Sequence, residues 1–88
     1  MVSYLILCRS LTDAQRTAHV LERSGISGHV MRAPKAIAGE GCGFCVKIPE
    51  HRLAAALPLL RQNKLEPRQI YMQLDDGGYS EVGHDLSG

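Results

Sequence analysis

Ser3-Tyr4-Leu5-Ile6-Leu7-Cys8, closed by Arg9-Ser10 and followed by Leu11-Thr12-Asp13-Ala14-Gln15, sets the pattern of the whole chain. The first six residues are an unbroken run of aromatic, β-branched and leucine side chains. A strand covered on both faces has this composition, so the run predicts a central strand. Ser10 or Thr12 can cap a helix, and Thr12-Asp13-Ala14-Gln15 has the spacing of a capping box. Ala14, Thr17, Ala18 and Leu21 then recur at three- and four-residue spacing, with Arg16, Glu22 and Arg23 toward water. Gly25 supplies the left-handed residue that ends the helix.

Outward from this unit, Gly28 to Arg32 predicts a weak second strand, stopped by Ala33-Pro34. Residues 34–43 hold one proline and three glycines and predict no element. Phe44, Val46 and Ile48 alternate with Cys45 and Lys47 as a third strand should. Pro49-Glu50 suits a helix start, and Leu53, Ala56, Leu57 and Leu60 form its apolar stripe, with Pro58 expected to bend or break it near residues 54–58. Arg68 to Leu74 predicts the last strand, ended by Asp75-Asp76-Gly77-Gly78, and residues 75–88 read as a mobile C-terminal tail behind one domain over residues 1–74.

The predicted order is βαββαβ, and right-handed crossovers place both helices on one face of a four-stranded sheet. This is an α+β fold of the ferredoxin-like plait type. The first and third strands are expected as central, parallel neighbours, with Cys8 and Cys42 at opposite ends of the sheet. Tyr4, Ile6, Cys45 and Lys47 are expected to line the face without helices.

Composition bounds what such a domain does. At 88 residues there is room for one core. Ten Lys and Arg against nine Asp and Glu leave a net charge of +1, which supplies no general attraction to nucleic acid or an anionic membrane. The apolar run at the start is too short for a signal-peptide core or a membrane span, so a cytoplasmic location is expected. Cys8, Cys42 and Cys45 are an odd set, which in that compartment argues for reduced thiols over a disulfide framework.

Gly41-Cys42-Gly43-Phe44-Cys45 concentrates the chemistry. Cys42 and Cys45 form a C-x-x-C pair, which raises a dithiol redox site or half of a zinc site. The motif runs into a strand and lacks the helix N-terminus that activates thioredoxin-type thiols. Fully extended, the two Cα atoms would lie about 10 Å apart, beyond the roughly 4.4–6.8 Å of a disulfide, so a bond between them needs a turn at Gly43. Four zinc ligands are not supplied by one such pair, the distant Cys8 and the scattered His19, His29, His51 and His84, and no resident metal or cofactor is expected.

A single reactive thiol at Cys42 fits better. Gly41 and Gly43 leave its sulfur unobstructed and free the backbone to turn amides toward an anion. Arg32 and Lys35 add positive charge if the loop folds back, and Glu40 opposes them. Cys45 is placed to resolve an oxidised or persulfidated Cys42. Cys8, before a helix start, is a secondary thiol candidate. The plain alternative is a hairpin loop holding a small residue, with Cys45 and Cys8 as packing.

The segments Tyr4-Leu5-Ile6-Leu7-Cys8-Arg9-Ser10, Ser24-Gly25-Ile26, and Arg32-Ala33-Pro34-Lys35 leading to Gly41-Cys42-Gly43 resemble a family of small bacterial proteins, the putative selenium/sulfur carrier-like proteins. The resemblance covers roughly residues 3–74, and its sharp motif is the Cys-Gly pair after a proline-bearing loop. It implies that Cys42 holds sulfur or selenium as a persulfide or selenosulfide, taken from a donor protein and passed to an acceptor. Cys45 departs from the family pattern. From another class, the sequence also allows a non-catalytic regulatory or interaction module that forms a homodimer through its open sheet face and binds a small ligand.

Overall fold

The computed structural model describes residues 2–38, 43–65, 67 and 69–82. Strand β1 (Ser3–Cys8) leads into helix α1 (Leu11–Arg23), strand β2 (His29–Arg32) and a four-residue helix α2 (Lys35–Ala38). Strand β3 (Phe44–Pro49) follows, then a 3-10 turn (Glu50–Arg52), helix α3 (Leu53–Gln62), and strands β4 (Gln69–Gln73) and β5 (Tyr79–Glu81). The fold is α+β, with one antiparallel five-stranded sheet in the order β2-β3-β1-β4-β5.

Local chemistry explains most boundaries. Ser10 caps α1, its Oγ accepting from the Asp13 N–H at 3.1 Å, so the helix starts within three residues of the end of β1 at Cys8. Gly25, at φ +81°, takes the left-handed turn at the other end, where the Ile26 N–H reaches the Leu21 carbonyl at 2.9 Å. Pro58 is accommodated inside α3, with its ring exposed. The change of helix type falls at residues 52–53, ahead of the expected break at 54–58, because the chain enters from Pro49 through a 3-10 turn.

Four expectations are corrected. The sheet has five strands where four were expected. Asp75-Asp76-Gly77-Gly78 does not release the chain. It turns it back, with the Leu74 N–H bonded to the Gly78 carbonyl at 2.8 Å and Gly77 at φ +90°. The segment read as a tail therefore begins with β5, and residues 83–88 lie outside the described residues.

Secondly, β1 and β3 run antiparallel, with Cys8 opposite Phe44 and Ser3 opposite Pro49. The start of β3 thus lies at the same end of the sheet as Cys8. The direction follows from chain order: the α1 crossover leaves β2 parallel to β1, and the short connection through α2 reverses the chain into β3.

Thirdly, residues 35–38 form α2 in a segment read as having no element. Fourthly, Tyr4 and Ile6 face the helices. Tyr4, Ile6, Cys8, Val46, Ile48 and Ile70 pack with Ala14 and Leu21 of α1 and with Leu53, Ala56, Leu57 and Leu60 of α3. The opposite face carries Leu5, Leu7 and Cys45, packed with Ala33 and Ile37 and flanked by Met31, Tyr71 and Tyr79. In a strand successive side chains alternate, so the covered run Tyr4–Cys8 serves both layers.

Candidate functional site around the thiols

Two of the three cysteines can be placed. Cys8 closes β1 on the helix face, buried, its S–H toward the Ile6 carbonyl at 3.5 Å and the Thr17 Oγ1 at 3.9 Å. Burial pushes this thiol above its usual pKa, the Thr17 contact opposes the shift, and the Asp13 carboxylate adds to it. Cys45 sits on the opposite face with no exposed surface, between Leu5, Leu7, Ala33 and Ile37. Burial, with a smaller contribution from Cys8, pushes its thiol up to about 11. Both sulfurs are held protonated at neutral pH, which suits packing and opposes thiolate attack or metal ligation.

Cys42 and Gly41, with Glu40, lie outside the described residues. What surrounds the return of the chain into β3 is described. The Gly43 carbonyl accepts from the Ala33 N–H at 2.9 Å, extending the β2–β3 pairing by one step past Arg32 and Phe44. The exposed Arg32 guanidinium lies over the Phe44 ring, 5.9 Å from its centre. Lys35 is exposed as the first residue of α2. The expected supporting residues Arg32 and Gly43 are thus brought together at the start of β3, with Lys35 two residues beyond Ala33.

Sequence reasoning missed two features. Thr17 appears in the α1 stripe as a core residue, and its part as the polar partner of Cys8 becomes visible only when β1 and α1 are packed. Phe44, read as a core residue, also serves as the seat for Arg32. Among the described residues, no group of three His, Cys, Asp or Glu side chains could hold a metal ion. No helix among them is long and apolar enough to cross a membrane.

A family model described as "Putative Se/S carrier protein-like" matches residues 3–72, from the start of β1 into β4. The chain belongs to that family. The matched span takes in both helical crossovers and the Cys42-Gly43 pair, and it ends before β5. No curated protein and no solved structure matches the chain.

Proposed function

We propose that the protein carries sulfur or selenium on Cys42. Membership of the Se/S carrier-like family supports the reading most directly, because the match spans residue 42. The state of the other thiols adds to it. Cys8 and Cys45 are buried and pushed toward the protonated form, so neither is fit to meet a partner's persulfide first.

In the loading step the Cys42 thiolate attacks the outer sulfur of a donor persulfide. A sulfur–sulfur bond forms to Cys42, the donor's own sulfur–sulfur bond breaks, and the donor leaves as a thiolate. Delivery repeats the exchange with an acceptor thiolate as the attacking group. Arg32 and Lys35, both exposed on the chain that precedes residue 42, are the cations we assign to favouring the anionic sulfur. Cys45 takes no part in the first transfer and packs against Leu5, Leu7, Ala33 and Ile37 on the sheet face that α2 covers. We also infer that the order β2-β3-β1-β4, with α1 and α3 on one face, is a ferredoxin-like plait to which β5 is added; the antiparallel register supports this.

Intact-protein mass after incubation with a persulfide donor tests the reading, with an established carrier as positive control. Addition of one sulfur atom is expected for the wild type, Cys8→Ser and Cys45→Ser, and none for Cys42→Ser. An adduct that survives Cys42→Ser, or no wild-type adduct where the control loads, overturns it.

A further inference from the structure

We infer that the chain pairs weakly with a second copy of itself, face to face, over the part of the α2 side of the sheet that lies away from α2. The strand registers set one residue of each strand in a single row across the sheet. Glu81 on β5 stands opposite Tyr71 on β4, Tyr71 opposite Leu5 on β1, Leu5 opposite Lys47 on β3, and Lys47 opposite His29 on β2. Cross-strand partners share a face, and this row lies on the face of Leu7 and Cys45. On the Cys8 side of the row, Leu7 and Cys45 are packed with Ala33 and Ile37. On its other side a second row, Tyr79, Gln73, Ser3 and Pro49, is half-exposed throughout.

The first row reads carboxylate, phenol, leucine, ammonium, imidazole, and that order is complementary to itself. A two-fold axis along β1 exchanges β5 with β2 and β4 with β3. It sets Glu81 of one copy against His29 of the other, with Lys47 one strand away, and it sets the Tyr71 ring against the Lys47 ammonium. Symmetry makes each contact twice. Among the described residues, the side chains of Glu81, Lys47 and His29 make no hydrogen bond or ion pair within their own chain. Glu81 and His29 are exposed, and Tyr71 and Lys47 are half-buried. Leu5, at the axis, is already buried within its chain, so the charged and aromatic positions on either side of it carry the contact.

Shape adds to charge in the second row. A concavity of about 620 Å³, lined in part by Ser3, Lys47 and Pro49, opens at this end of the sheet. The same axis brings Gln73 of the other copy over Pro49, with the Tyr79 ring beside it, so a projecting aromatic edge meets a hollow. Size sets the strength. Strands stand about 4.8 Å apart, so five of them span about 19 Å, and the two rows are about 7 Å apart. Such a patch falls short of the roughly 800 Å² that each partner of a standard interface buries, which places Kd at about 0.1–1 mM.

The test is a dilution series of the full chain by proton–nitrogen NMR, from about 1 mM to about 20 μM, under a reducing agent so that no intermolecular disulfide contributes. Concentration-dependent shifts are expected at His29, Lys47, Tyr71, Gln73, Tyr79 and Glu81, with α1 and α3 unmoved, and sodium chloride should weaken them. Glu81→Lys and His29→Glu, both at exposed positions, each set like charges against each other and should raise Kd at least tenfold. Mixed in equal amounts, the two variants should pair with each other, because each then meets the opposite charge. Spectra that do not change on dilution, shifts centred on the helices, or variants that fail to pair on mixing while the wild type pairs, overturn the inference. None of these measurements uses Cys42, so they stand or fall apart from the carrier reading.

Discussion

On one face of the sheet, Tyr4, Ile6 and Cys8 lie beneath helices of 13 and 10 residues; on the other, Leu5, Leu7 and Cys45 pack with Ile37 from a helix of four. The same strand feeds both layers, yet the two covers differ in kind. The first is assembled from long-range crossovers and joins α1 to α3. The second is local, a short helix dropped onto the sheet between β2 and β3. A strand therefore needs two apolar neighbours but not two extensive ones, and the thin side can hold a residue as fully buried as the thick side does: Cys45 and Val46 are both 0 % exposed.

The contrast can be broken by truncating one layer at a time. Ile6→Ala, beneath the two long helices, should cost about 4 kcal/mol of unfolding free energy, since helices and sheet cannot close around the lost methyls. Urea unfolding with an unchanged slope reads this directly. Ile37→Ala should cost about 2 kcal/mol, because α2 can settle onto the sheet and fill part of the void. Equal losses at the two positions would erase the distinction drawn between the layers.

The smallest effect sharpens the comparison through pH. The folded protein holds the Cys45 proton up to about 11 against a usual 9.0. Its contribution to stability is complete below about pH 9 and is lost as pH rises through 11, while the unfolded thiol ionises first. At pH 10 the wild type should have lost about 1 kcal/mol, relative to pH 8, that Cys45→Ala does not lose. Parallel pH profiles for the two proteins would show that the thin layer admits water to the sulfur.

The same contrast explains what could be read from the residues alone. β1, α1, β3, α3 and β4 each carry enough apolar residues at the right period; the strands and α1 keep within a residue or two of their expected limits, while α3 starts at Leu53, after a 3-10 turn that occupies the expected start at Glu50. α2 has four residues, too few for a period to show, among glycines and a proline that argue for a loop. The direction of β3 against β1 is not written in either strand. It depends on how the chain turns between β2 and β3, and reading it wrongly placed Cys8 at the far end from the β3 start. Alternation with Phe44 and Val46 put Cys45 on the face expected to carry no helices, and its burial comes from α2, which no period announced. Residues of 9–17 and of 61–65 line one cavity beside Cys8, and nothing in the spacing of either segment announces the other.

β5 has one further effect. By pairing with β4 it moves the sheet's border to a strand of three residues, Tyr79–Glu81, while the far border is the four-residue β2 with His29 and Arg32 exposed at its limits. An incoming chain seeking to extend the sheet finds few free rungs on either side, and at β2 a fringe of polar and charged groups. Such borders discourage ribbon-like growth into aggregates.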